Sequence, residues 1–165
     1  MALLKKVGIG VQAGLLAGGF VAATFFVADL ARLAPLATPI ALSGGILGSV
    51  ATSFDSPFLI SSIAIVSFGG HLAGITLLHL LAFATLGAVA VLVCHACHVP
   101  LNALTAALYG LVIFSLVFYT TTWLTSAARV VELPSLGSVL LVNLLAGAVM
   151  GGYCQLASRG AGHTA

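Results

Sequence analysis

The chain has 165 residues, of which 61% are hydrophobic and only 5% are charged, and its mean hydropathy is +1.27. A soluble domain carries roughly 25% charged residues, so the composition excludes a soluble globular protein and indicates an integral membrane protein. The formal net charge of +2 comes without any run of basic residues, which argues against a nucleic-acid partner. The length allows a few spans of about 20 residues, in a single transmembrane domain over 1–165.

The first span is predicted at about 8–30. Lys5 and Lys6 precede an apolar run of about 20 residues, which is longer than the roughly 7 to 15 residues of a signal-peptide core, so we expect an uncleaved helix. The connection "LAPLATPIALSGGILGSVATSFDSP" follows. Its apolar part, Ile40 to Val50, is too short to cross a bilayer and predicts a re-entrant or interfacial segment. If Pro35 to Thr52 crosses instead, the chain has five spans.

The remaining three spans are predicted at about 71–93, 100–123 and 134–156. No charge occurs over the 37 residues from Pro57 to Val93, which is too long for one ordinary span. The Gly69-Gly70 pair is the expected break, because glycine weakens helix interiors, and it leaves a short outer segment, Pro57 to Phe68. The resulting fold class is all-α, a polytopic transmembrane bundle of four spans.

Basic residues beside the spans predict the orientation of the chain. With four spans, Lys5, Lys6 and Arg159 share one side, and Arg32 and Arg129 share the other. Short cytoplasmic segments carry the excess of lysine and arginine. We therefore expect a multi-pass protein of the cell inner membrane with both termini in the cytoplasm.

The stretch "VCHACHVP" contains the pattern C-x-x-C-H, to which c-type haem is attached covalently. Covalent haem is attached outside the inner membrane, whereas four spans place this stretch on the cytoplasmic side. The same membrane edge collects metal-ligand residue types: Cys94, His95, Cys97 and His98 end span two, and Cys154 is near that edge on span four. Two thiolates and an imidazole suit zinc or copper, so Cys94, Cys97, His98 and Cys154 are candidate metal ligands. The alternative is structural thiols and solvated histidines.

His79 lies inside span two, where ionisable residues usually face the bundle interior and find a partner. Asn143 lies at about the same depth in span four, which predicts a structural hydrogen bond between the two side chains. The functional alternative makes His79 a cofactor-binding residue, as a haem ligand or a quinone-site histidine.

Small residues recur four apart in two of the spans, at Gly14 and Gly18 and again at Gly147 and Gly151. Such spacing lets helices approach closely in lipid. We expect packing within the bundle to use these glycines, and docking onto a larger complex is the alternative.

Three segments together resemble a group of small bacterial four-span integral membrane proteins. They are "GLLAGGFVAATFFVADLARLAPLATPIALSGGILG", "LLHLLAFATLGAVA" and "LGSVLLVNLLAGAVMGGY". The resemblance implies four spans with an extended connection after the first, and it brings no catalytic residues. The "CHACH" stretch is not part of the shared pattern.

No nucleophile–base arrangement and no mid-span acid or base stands out, so we expect no catalytic residues and no enzyme activity. The leading hypothesis is a non-catalytic subunit that packs within a larger membrane complex, of the respiratory or photosynthetic electron-transport kind. Its partners would be membrane lipid and other integral membrane subunits. One alternative is a membrane redox protein that binds haem or a transition metal, and another is a small passive channel or carrier.

Overall fold

A computed structural model describes residues 3–33, 36, 38–39, 62–124 and 135–160. Within these ranges the secondary structure is helical, with no strand. The four long helices are α1 (Leu3–Ala31), α2 (Ser62–Ala96), α3 (Ala103–Leu124) and α4 (Leu136–Gly160). The middle of α3, Gly110–Phe114, is a π-helical segment between two α-helical parts.

The four helices confirm the predicted fold class. The stretches long and apolar enough to cross a membrane are Leu3–Ala31, Leu72–Ala96, Ala103–Leu124 and Leu136–Arg159, which cover most of each predicted span. Each has at least the roughly 20 residues that a bilayer core about 30 Å thick requires. The predicted re-entrant segment and the possible fifth span fall almost wholly outside the described residues.

The predicted helix break at Gly69-Gly70 is wrong. Helix α2 runs without interruption from Ser62 to Ala96, so residues 62–68 of the predicted outer segment are continuous with span two. A glycine inside a helix costs only about 1 kcal/mol relative to alanine. An interruption near the bilayer would instead leave backbone groups without hydrogen-bond partners, and that cost outweighs the glycine penalty.

Helices α1 and α2 touch backbone to backbone through glycines. A Cβ atom placed on Gly10 would lie 2.6 Å from the carbonyl oxygen of Gly87, and one placed on Gly14 would collide with the carbonyl oxygen of Phe83. A Cβ on Gly18 would meet the Phe83 side chain at 2.9 Å. Because lipid supplies no hydrophobic drive between spans, such close packing is what holds them together.

Helices α3 and α4 form a second pair of the same kind. Gly147 and Gly151 of α4 lie against the carbonyl oxygens of Ala106 and Asn102, and Gly110 of α3 lies against the backbone of α4. Helix α1 packs against α4 as well as α2, which joins the two pairs. Both predicted glycine stripes are therefore used within the chain.

Candidate functional site

One end of the bundle gathers the start of α1, the end of α2, the start of α3 and the end of α4. We call it the basic end, because it carries Lys5, Lys6 and Arg159. Asp29, a described acidic residue, lies near the far end of α1. There its carboxylate accepts hydrogen bonds from the backbone N–H and the hydroxyl of Thr38 at 2.7 and 2.8 Å. The basic end is thus separated from this negative charge by the length of a span.

The "CHACH" stretch forms the turn that ends α2 at the basic end. The Val99 N–H donates to the Cys94 carbonyl at 2.9 Å, and the His98 N–H donates to the His95 carbonyl at 3.4 Å. These two bonds define a Schellman motif, whose key residue adopts a left-handed conformation. That residue is His98, with φ of 56°, where glycine is usual. The local sequence is therefore a helix cap as well as a cluster of thiols and imidazoles.

An open cleft of about 580 Å³ lies beside this turn, lined by α1, α2, α4 and the residues that connect α2 to α3. Its apolar wall includes Ile9, Val91 and Leu101, and its polar and charged lining is Lys6, Cys94, His95, His98, Asn102, Cys154, Gln155 and Ser158. Asn102 is also the N-cap of α3, where its side chain accepts a hydrogen bond from the Thr105 N–H at 2.9 Å. The volume of the cleft is within the usual range of ligand pockets, about 300–1,000 Å³.

The charged groups at the cleft are positive. Lys6 is half-buried in its wall. Lys5, which precedes Lys6, and Arg159, which follows the lining residue Ser158, are exposed. Among the described residues, the Lys6 ammonium group has neither an ion pair nor a hydrogen bond, and no described acidic residue lines the cleft. A cation without a counter-charge at a membrane end favours an anionic ligand.

Only some of the predicted metal ligands lie at the cleft. Cys94, His98 and Cys154 line the cleft, whereas exposed Cys97 does not. All three cysteines are free thiols. Within the described ranges, no three His, Cys, Asp or Glu side chains are grouped so that they could hold a metal ion together. Metal binding by this set stays a prediction.

The predicted hydrogen bond between His79 and Asn143 is wrong. His79 Nε2 donates to the Gly18 carbonyl at 3.1 Å, which ties α2 to α1, and the ring lies against Phe83 with centroids 4.8 Å apart. Asn143 Nδ2 instead donates to Ser115 Oγ at 3.1 Å, between α4 and α3. Equal depth in the membrane says nothing about the direction in which each side chain leaves its helix. Cofactor binding by His79 stays a prediction.

Sequence reasoning missed Lys6, Gln155 and Ser158 as parts of a site. Lys6 served only to orient the chain, although its three-residue spacing from Ile9 places both on one helical face. Gln155 and Ser158 are likewise three apart, and both follow Cys154 in the last turns of α4. That spacing was the available signal, but nothing in the sequence showed which other helix they would meet.

No family model, curated protein or solved structure matches the chain.

Proposed function

We propose that this chain is a non-catalytic integral membrane subunit that packs within a larger membrane complex, of the respiratory or photosynthetic kind. Four polar side chains of its spans support this role, because they connect helices of the chain to each other. Besides the His79 and Asn143 bonds, Tyr109 Oη donates to the Leu86 carbonyl at 3.0 Å, and Tyr153 Oη donates to Gln12 Oε1 at 2.8 Å. Groups used in this way stiffen a scaffold.

The observation that carries the proposal is the unequal burial of the spans. In their most apolar 18-residue windows, 44% of the residues of α4 are buried but only 17% of those of α2. Helix α2 packs mainly against α1. Its opposite face exposes large apolar side chains, among them Leu77, Leu81 and Leu92. We assign this face of α2 to a neighbouring integral membrane subunit, with lipid covering the remaining spans.

A photo-crosslinking amino acid at Leu81 tests the proposal in native membranes, with the same group at Leu116 as the matched control. Leu81 is 53% exposed on α2, and Leu116 is 60% exposed on α3. We expect Leu81 to crosslink to one defined membrane polypeptide that copurifies in stoichiometric amount, and Leu116 to crosslink to lipid. Equal yields of the same polypeptide from both positions, or a bare monomer by native mass spectrometry, would contradict the proposal.

We further propose that the protein lies in the cell inner membrane with both termini in the cytoplasm. The support is that Lys5, Lys6 and Arg159, three of the five lysines and arginines, gather at the basic end. Positive residues near span ends favour the cytoplasmic side. The labelling experiment in the Discussion tests this orientation.

A further inference from the structure

The cleft at the basic end combines two kinds of surface. Ile9 and Val91 give it an apolar wall on the side of the bundle, whereas Lys6, His95 and His98 supply charge and hydrogen-bond donors. A soluble anion would leave the apolar wall without a contact, and an acyl chain alone would leave the Lys6 cation without a counter-charge. The lining therefore suits an amphiphile with an anionic head.

The depth of the cleft fits the same ligand. Its residues come from the first turns of α1 and the last turns of α2 and α4, at the ends of stretches that can cross a membrane. Span ends lie at the level of the lipid headgroups, because the hydrocarbon core occupies only the middle about 30 Å. A phosphate in this layer would lie beside the half-buried Lys6.

The cap of α2 places His98 at the cleft. This residue adopts φ of 56°, a left-handed conformation that favours glycine, yet the position carries an imidazole that lines the cleft. This conformation is that of the Schellman cap that ends α2, so the helix end fixes the position of the imidazole beside the cleft. The imidazole N–H is a suitable donor to a phosphate oxygen.

We propose that this cleft binds the phosphate headgroup of an anionic phospholipid, with Lys6 as its cation and His95 and His98 as hydrogen-bond donors. The apolar wall receives the start of an acyl chain. A zwitterionic choline lipid fits less well, because no described carboxylate lines the cleft to receive its positive group. This inference is independent of the partner subunit proposed for α2.

The test is a lipid titration of the delipidated protein in detergent, followed by native mass spectrometry. Phosphatidylglycerol and phosphatidylcholine with the same acyl chains are compared on the wild type, Lys6→Gln and Lys5→Gln. The two variants remove the same charge from adjacent positions, but only Lys6 lines the cleft. We expect the wild type to prefer phosphatidylglycerol. Lys6→Gln should bind it about fivefold more weakly, as loss of one basic residue near a membrane surface implies, and Lys5→Gln should change it less than twofold.

Two further measurements serve as controls for the lipid titration. Lys6→Arg keeps the positive charge and should retain the preference, and thermal unfolding of each variant verifies its fold. Inorganic phosphate at millimolar concentration should not displace the bound lipid. Equal losses in Lys6→Gln and Lys5→Gln would show diffuse surface attraction and overturn the proposal. So would an absence of preference between the two lipids, or displacement by free phosphate, which would indicate a soluble-anion site.

Discussion

Asn143 of α4 donates a hydrogen bond of 3.1 Å from Nδ2 to Ser115 Oγ of α3 in the interior of the bundle. Both residues are only 5% exposed. Ser115 follows directly after the π-helical segment Gly110–Phe114. A π segment changes the rotational phase of the residues that follow it, so this segment sets the direction in which Ser115 leaves α3.

A double-mutant cycle measures this hydrogen bond. We expect Asn143→Ala and Ser115→Ala each to destabilise the protein, and the double variant to lose less than their sum. The coupling energy should be about 0.6–1.7 kcal/mol, the span from average to strongest for interhelical hydrogen bonds in a membrane protein. The measurement is unfolding in mixed micelles of a mild detergent and dodecyl sulfate.

The matched control for this cycle pairs Asn143→Ala with Tyr153→Phe. Tyr153 is ten residues along α4, at a distance of about 15 Å, and its hydroxyl donates to Gln12 instead. The stability changes of substitutions at distant sites without shared partners are additive, so this pair should show no coupling energy. Additive behaviour of the Asn143–Ser115 pair as well would contradict the structural assignment.

Substituting alanine at Gly14 should separate α1 from α2. The added Cβ would collide with the backbone carbonyl of Phe83, whereas a Cβ at Gly19 of the same helix meets nothing within 4 Å. Both changes gain the same helix propensity, about 1 kcal/mol. We expect Gly14→Ala to lower the free energy of unfolding by about 1–3 kcal/mol, the range of overpacking, and Gly19→Ala to leave it unchanged or raise it. Equal effects of the two variants on unfolding in detergent would exclude backbone contact at Gly14.

The spans could be predicted from sequence because charge-free length is a strong signal in lipid. The run after Lys6 and the run around Asn143 are each long enough to cross, and α1 and α4 follow them closely. The glycine stripes at Gly14 and Gly147 also predicted close helix packing, because a membrane bundle has few other means of association.

Two features could not be predicted. One is the rotation of each helix about its axis, and the other is whether glycine propensity or backbone hydrogen bonding decides the structure at Gly69-Gly70. His79 and Asn143 lie at equal depths, but their bonds go to Gly18 and Ser115, because side-chain direction depends on packing between helices. At Gly69-Gly70 the local propensity was outweighed by the need for hydrogen-bonded backbone. The cleft at the basic end required the helix order around the bundle, which a single sequence does not contain.

Glycine should be more favourable than alanine at residue 98, where φ is 56°. An L residue in the left-handed region costs roughly 1–2 kcal/mol, so we expect His98→Gly to be about 1 kcal/mol more stable than His98→Ala. His95 provides a control of opposite sign, because it is within α2. There the alanine variant should be about 1 kcal/mol more stable than the glycine variant. The same order at both positions, measured by unfolding in detergent, would mean that residue 98 does not adopt this conformation.

Thiol labelling tests the proposed orientation of the chain. Cys97 is exposed at the basic end, and the double substitution Cys94→Ala, Cys154→Ala leaves it as the sole thiol. We expect a membrane-impermeant maleimide to leave Cys97 unlabelled in intact cells and to label it after lysis, because three of the five lysines and arginines lie at the basic end and the cytoplasmic side carries the positive excess.

The matched control is Leu33→Cys in a variant lacking all three native cysteines. Leu33 follows the other end of α1 and is 92% exposed, so its thiol should be labelled in intact cells. The two variants differ in which end of the same span they report, and labelling after lysis verifies that both thiols react. The reverse pattern in intact cells would place the termini outside the cytoplasm. Labelling of both positions before lysis would mean that the two ends of α1 are on the same side, which is incompatible with α1 as a span.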